Sequence, residues 1–216
     1  MVGNHLPEFL KKSPGSTGIG AVILAAGKSE RFGSPKVLQQ FHGLPFLSCI
    51  TRSLRQAGVE KIILVLGHRA DKVIPQLAEA ETVQVVINNR YEEGQFSSLQ
   101  VGIQSLEFSL GGILLCLIDQ PHLQVSIYQI IIKKAQALPK KILVPAYQCH
   151  GGHPVFLPGW IFPEITAQPS TISLRELFSR FPDEIVRIEV DDPGILEDID
   201  TRADLNRLED MIPKAF

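Results

Sequence analysis

Between Leu24 and Lys36 the chain reads Leu-Ala-Ala-Gly-Lys-Ser-Glu-Arg-Phe-Gly-Ser-Pro-Lys. Three cations, Lys28, Arg31 and Lys36, flank a glycine-containing loop. Such a loop can wrap a polyphosphate: backbone N–H groups donate to phosphate oxygens while Lys and Arg offset their charge. The same composition also fits a solvated turn with surface cations. Two familiar phosphate motifs are excluded by spacing. A P-loop ending at Gly27-Lys28-Ser29 needs its first glycine at position 22, which is Val22. The dinucleotide fingerprint fails because Gly18 and Gly20 precede the apolar run and position 23 is Ile23.

Four further segments carry candidate chemistry. In Leu115-Cys116-Leu117-Ile118-Asp119-Gln120-Pro121 an aspartate ends an apolar run. A hard oxygen ligand there suits Mg²⁺, and the plain alternative is a turn-capping aspartate. Asp198-Ile199-Asp200-Thr201 places two carboxylates on one face of an extended chain. One could be a second metal ligand; an acidic turn with an N-cap is the competing reading. Asn88 to Gly102 holds Tyr91, Gly94, Ser97 and Ser98, where hydroxyls and N–H groups at a helix start could hold a ribose or base. Gly151-Gly152-His153-Pro154 permits close backbone approach. His153 is the histidine whose setting looks built for a role, whereas His5, His42, His68, His122 and His150 read as structural or surface residues.

The elements that must position these residues follow from periodicity. Strands are expected at Ile19–Ala25, Lys61–Leu66, Val83–Asn88, Ile113–Ile118, Ile142–Tyr147 and Ile185–Val190. Leu47, Ile50, Leu54 and Ala57 recur at helical spacing, with Gly58 as terminator. A helix is expected over Ala70–Ala80, weakened by Pro75, and others carry Phe96–Leu106 and Ile127–Leu138. Ser173 and Glu176 form a capping box, and Thr201 caps a last helix with Leu205 and Leu208. Strands alternating with helices imply βαβ units, an α/β fold with a mostly parallel sheet, and ligands beyond the carboxyl ends of the strands. Residues 1–18, with Pro7, Pro14, Gly15 and Ser16, read as a flexible leader with a short helical piece near Leu6–Lys11. Residues 19–216 read as one domain.

Composition narrows the function classes. With 21 basic and 23 acidic residues among 216, the net charge of −2 argues against a nucleic-acid coat. The longest apolar runs fall far short of the ~18–20 residues of a membrane helix. Cys49, Cys116 and Cys149 are scattered and odd in number, so neither a disulfide framework nor a structural zinc site is expected, and a reducing cytoplasm is the default.

Taken in order, the five segments resemble the MobA-like nucleotidyltransferase family, and within it the molybdenum cofactor cytidylyltransferases. The family's opening signature, LAAGxSxRFGxPK, is met by Leu24, Ala25, Ala26, Gly27, Ser29, Arg31, Phe32, Gly33, Pro35 and Lys36. Asn89, Tyr91, Gly94, Ser97, Ser98, Leu99, Gly102 and Ile103 match a second stretch. Asp119-Gln120-Pro121, Gly152-His153-Pro154-Val155 and Asp198–Thr201 match three more. The resemblance spans about residues 19–212 and has no counterpart for the leader.

The resemblance implies a Rossmann-like three-layer nucleotidyltransferase that joins CTP to molybdopterin, or to the molybdenum cofactor, and releases pyrophosphate. Arg31 and Lys36 would neutralise phosphate charge, and Asp119 and Asp200 would hold Mg²⁺. Leu24, Ala25, Ala26 and Gly27 would line the nucleotide, Ser98 would touch its base or ribose, and His153 would face the pterin. A recipient molybdoenzyme or its chaperone would be the partner, with no nucleic acid and no membrane. At Ala26 the family's guanylyl branch carries glycine; the added methyl should disfavour a purine and suit a pyrimidine, and CTP over UTP is what the resemblance alone implies. Two alternatives stay open: the same transfer onto another phosphate such as a sugar 1-phosphate, and a catalytically silent nucleotide-binding module.

Overall fold

The computed structural model describes residues 18–77, 82–106 and 110–212. Most of the leader, including the helical piece expected near Leu6–Lys11, lies outside the described residues. Gly18, read as its last residue, already belongs to the first strand. The elements are β1 (Gly18–Ala25), β2 (Gln40–Phe41), β3 (Leu44–Pro45), α1 (Phe46–Gln56), β4 (Ile62–Leu66), α2 (Ala70–Val73), β5 (Gln84–Ile87) and α3 (Gln95–Gln104). They continue with β6 (Leu110–Leu117), α4 (Val125–Ala137), β7 (Ile142–Tyr147), β8 (His150–Gly151), β9 (Val155–Pro158), α5 (Phe162–Thr166), α6 (Leu174–Phe178), β10 (Ile185–Glu189) and α7 (Arg202–Met211).

The central sheet runs in the order β10-β7-β9-β6-β1-β4-β5, with β8 paired to β7. β1 lies parallel to both β4 and β6. In β1, Ala21 and Ile23 enter one core and Val22 and Leu24 the other. A strand covered on both faces must be apolar at every position, which is why the run is continuous. The two cores make three layers: Leu47, Ile50 and Leu54 of α1, Ile127 and Ile131 of α4 and Leu208 of α7 on one face, and Leu99 and Ile103 of α3, Ile165 of α5 and Leu177 of α6 on the other.

The departures from the sequence reading have local causes. The helix expected over 70–80 stops at Val73 and tightens into a 3₁₀ turn at Ile74–Gln76, because Pro75 has no N–H to donate; residues 78–80 lie outside the described residues. β9 was not expected. Its four residues end at Pro158, too short to show a period, yet it inserts antiparallel between β6 and β7.

α3 reaches the sheet through Gly102. A Cβ there would lie 2.6 Å from Val22 Cγ1 and 3.1 Å from Val65 Cγ2. The helix backbone therefore rests on β1 and β4, and its first turn is carried to the carboxyl edge of β1. Gly102→Ala should destabilise the protein by about 1–3 kcal/mol through overpacking, read in denaturant unfolding; a loss below ~0.5 kcal/mol would contradict this close approach.

His122, 4% exposed, was read from sequence as structural or surface, and the structure places it inside. Its Nε2 donates to the Gly194 carbonyl at 3.0 Å, and Nδ1 is buried without a partner. Burial pushes its pKa down, against the Gly194 carbonyl and the charges of Asp192, Glu197 and Asp119. The unfolded chain, with imidazoles near 6.5, therefore takes up the proton first as pH falls. Stability held above pH ~6.5 should be lost on acidification below it, by up to about 1.4 kcal/mol per pH unit for this group. His122→Gln should flatten the difference between unfolding free energies at pH 7.5 and pH 5. An unchanged difference would show that His122 titrates freely.

Candidate active site

The loop after β1 is built around one missing side chain. A Cβ on Gly67 would lie 2.7 Å from the Ala26 carbonyl oxygen, 2.9 Å from Ala26 Cβ and 2.6 Å from Tyr91 Cβ. Three loops at the sheet edge thus converge on this glycine. The Ala26 carbonyl accepts from the His68 N–H at 3.1 Å. Downstream, Phe32 is 5% exposed and meets Phe46 edge-on, with ring centroids 6.3 Å apart. Gly33, at φ +79°, turns the chain back, and the Lys36 N–H donates to Ser29 Oγ at 3.3 Å. The anchored loop delivers Lys36 into the interior, at 9% exposure.

There Lys36 Nζ meets two carboxylates brought from distant segments. It lies 3.0 Å from Asp119 Oδ2 and 2.6 Å from Asp200 Oδ1. Arg31 Nη2, on a largely exposed side chain, lies 2.7 Å from Asp200 Oδ2. The two acidic segments are laced together, since the Ile199 N–H donates to the Asp119 carbonyl at 2.9 Å. Thr201 and Asp204 form a capping box at the start of α7, and Asp204 Oδ2 also accepts from the Asp200 N–H at 3.2 Å. Asp119 Oδ1 is buried and has no partner among the described residues.

Asp198 turns elsewhere. Its Oδ1 accepts from Gln120 Nε2 at 3.0 Å. Burial first, then the Asp119 charge, pushes its carboxyl above the usual carboxylate range, while Gln120 opposes the shift. Of the two aspartates in the Asp-Ile-Asp run, Asp200 is the one in contact with Lys36.

These groups border a cavity of about 500 Å³. Leu24, Ala25, Ala26, Gly27, Arg31, Lys36, Ser98, Asp119 and Asp200 all line it, with Tyr91, Gly94 and Gln95. Nothing lies within 4 Å of where a Gly27 Cβ would stand, so the loop backbone is open to a ligand. Asn88, 1% exposed, organises the opposite wall. Its Nδ2 donates to Ser97 Oγ at 2.8 Å and Ser98 Oγ at 3.0 Å. Gly94, at φ +105°, is the N-cap of α3. At the mouth, Lys28 pairs with Glu92 at 2.9 Å; their hydrogen bond holds the lysine pKa up and the carboxyl pKa down.

His153 lies apart, in an adjoining cavity of about 300 Å³ that shares Leu24, Gly94 and Gln95 with the first. Its Nδ1 faces the Leu115 carbonyl at 3.4 Å, and burial pushes its pKa down, so the ring is neutral at pH 7. Gly152 is required beside it, because a Cβ there would lie 2.2 Å from the Ile195 carbonyl oxygen. Sequence reasoning passed over Gly67 and Gln95. A glycine directly after a fully apolar strand was the available signal for Gly67; Gln95 offered none.

A hard cation finds a partial site here. Among the described residues no group of three His, Cys, Asp or Glu side chains is arranged to hold a metal alone. Yet the unpartnered, buried Asp119 Oδ1 is an oxygen that such a cation would satisfy. Among the described residues no helix is long and apolar enough to cross a membrane.

Comparison with known proteins bears on the fold and the family. The crystal structure of Rv0371c from Mycobacterium tuberculosis H37Rv is 30% identical, with a TM-score of 0.76 over 90% of this chain and 99% of that one. A second structure of that protein is a manganese complex, 28% identical with a TM-score of 0.71, over 91% and 100% of the two chains. Molybdopterin-guanine dinucleotide biosynthesis protein A from Archaeoglobus fulgidus shares the fold, at 16% identity and a TM-score of 0.67 over 89% and 97%. Among curated proteins, the bifunctional IPC transferase and DIPP synthase of Rubrobacter xylanophilus is 32% identical over 126 residues, 56% of this chain. The match spans only 28% of that protein's length. The model of the MobA-like NTP transferase domain matches residues 21–185. The chain belongs to the MobA-like NTP transferase family, a family of nucleotidyltransferases.

Proposed function

We propose that this chain transfers the cytidylyl group of CTP to the phosphate of molybdopterin, or of its molybdenum-loaded form, with Mg²⁺ and release of pyrophosphate. The observation that carries the reading is Lys36 held between Asp119 and Asp200 against the open glycine loop.

In this reading an oxygen of the acceptor phosphate attacks the α-phosphorus of CTP. The bond from that phosphorus to the bridging oxygen breaks, and its electron pair leaves on pyrophosphate. A phosphate monoester is largely dianionic near pH 7, so no general base is needed. The chain's task is positioning and charge neutralisation. Lys36 and Arg31 meet the triphosphate, and the N–H groups of Ala26, Gly27 and the first turn of α3 donate to its oxygens. Ser98 Oγ accepts from Asn88, which leaves its own proton for the nucleotide. Asp119 and Asp200 would hold Mg²⁺, which would offset charge on phosphate oxygens. Neutral His153, with Nδ1–H on the Leu115 carbonyl, offers Nε2 as an acceptor on the pterin side.

Base choice works through Ala26. Its methyl packs toward Gly67 and it is 5% exposed, so it sets how closely the two loops approach. That spacing favours the smaller pyrimidine over guanine. Residues 19–216 act as one catalytic domain behind the leader, in the cytoplasm, and deliver product to a recipient molybdoenzyme or its chaperone. The Rubrobacter relative, an IPC transferase by name, favours a second reading, the same transfer onto another phosphate such as a sugar 1-phosphate. A silent nucleotide-binding module has no use for Arg31, Lys36, Asp119 and Asp200 together.

Incubation with each of the four NTPs, Mg²⁺ and molybdopterin should release pyrophosphate fastest with CTP; release only with a sugar 1-phosphate would establish the second reading. Asp119→Asn, nearly isosteric, should slow turnover about 10²-fold or more with little loss of fold, and Asp200→Ala should act in the same direction. If Asp198→Ala is dead while Asp200→Ala turns over normally, the wrong carboxylate has been assigned.

A further inference from the structure

Lys36 occupies the position that a divalent ion would need. Of the four carboxylate oxygens of Asp119 and Asp200, Lys36 holds one of each, at 3.0 Å and 2.6 Å. Arg31 holds the other Asp200 oxygen at 2.7 Å. Only the buried Asp119 Oδ1 has no partner among the described residues. Two cations thus face these two carboxylates, with Asp198, turned to Gln120, as a third carboxyl nearby.

A divalent ion entering this arrangement meets an ammonium at contact distance. Mg²⁺ also demands oxygens at about 2.0–2.1 Å in octahedral array, and the shared oxygens are engaged by N–H donors. Lys36 is 9% exposed and borders the cavity, so the ammonium has little contact with water while it stays on the two carboxylates. A triphosphate in the cavity changes this arrangement. Its oxygens give the ammonium new acceptors and bring negative charge that a second cation can offset.

We infer that Lys36 is a resident counter-ion that keeps the metal site closed in the free protein, and that a triphosphate opens the site by drawing the ammonium onto its own oxygens. The metal therefore binds with or after the nucleotide, never ahead of it. The same contact explains how two carboxylates stay within reach of each other before any ligand arrives: unpaired, they would repel. The inference rests on the reading above only in taking Asp119 and Asp200 as the metal-holding pair.

The test uses Mn²⁺ alone, titrated onto the full chain without nucleotide, with free Mn²⁺ counted by electron paramagnetic resonance. Wild type should bind weakly. Lys36→Met should bind about 10-fold tighter or more, and so should Lys36→Gln, a more polar variant that covers the case in which the methionine form does not fold. Lys36→Arg, which keeps the charge, should stay near wild type. Unchanged or weaker Mn²⁺ binding in whichever neutral variant folds overturns the counter-ion role. Adding Asp119→Asn to the neutral variant should abolish the gain. Tight binding that persists without Asp119 overturns the metal pair itself, whereas binding that needs Asp119 but does not rise without Lys36 overturns the counter-ion role alone.

Discussion

Two carboxylates share one corner of this molecule because a lysine stands between them. Asp119 and Asp200 come from segments far apart in the chain, and like charges brought together in a partly buried place repel. Lys36, in contact with both, converts that repulsion into an ion triad. Arg31, at the mouth, takes the outward oxygen of Asp200. Surface pairs of this kind contribute little. Here the lysine is nearly enclosed, so removing either sign leaves the other poorly solvated.

Much of the surrounding structure serves to bring these side chains to one place. The continuous apolar strands β1 and β6 end at the same edge of the sheet and present the glycine loop and Asp119 side by side. Phe32 fixes the far end of the loop, so that Lys36 turns inward. The backbone bond from Ile199 to Asp119 ties the acidic run to the end of β6, and the Thr201–Asp204 box starts α7 immediately after Asp200. Gly67 and Gly102 act by lacking side chains: one lets three loops meet, and the other seats α3 so that Ser98 reaches the cavity.

Six strands and their mostly parallel arrangement were legible because buried strands and amphipathic helices leave periods of two and 3.6 in a sequence, and the three layers came from the family resemblance. β9 was not, since four residues carry no period and its antiparallel insertion is decided by tertiary pairing. Of the ten residues given roles by motif and resemblance, nine border one space and His153 lines the adjoining one. What could not be read was their partnership. Nothing in Lys36 or Asp200 as residue types says that they touch, nor that Asp198, two positions away, turns to Gln120 instead. The likeness to the Archaeoglobus protein extends to fold, so substrate identity rests on the pockets and their chemistry.

The central claim is that Lys36 and Asp200 act as one unit in the transfer reaction. A double-mutant cycle on kcat/KM with Lys36→Met, Asp200→Asn and their combination measures this coupling directly. If the two form a unit, the double variant should be about as slow as the slower single variant. Losses that multiply across the cycle would mean that the two residues contribute independently, and would contradict the account.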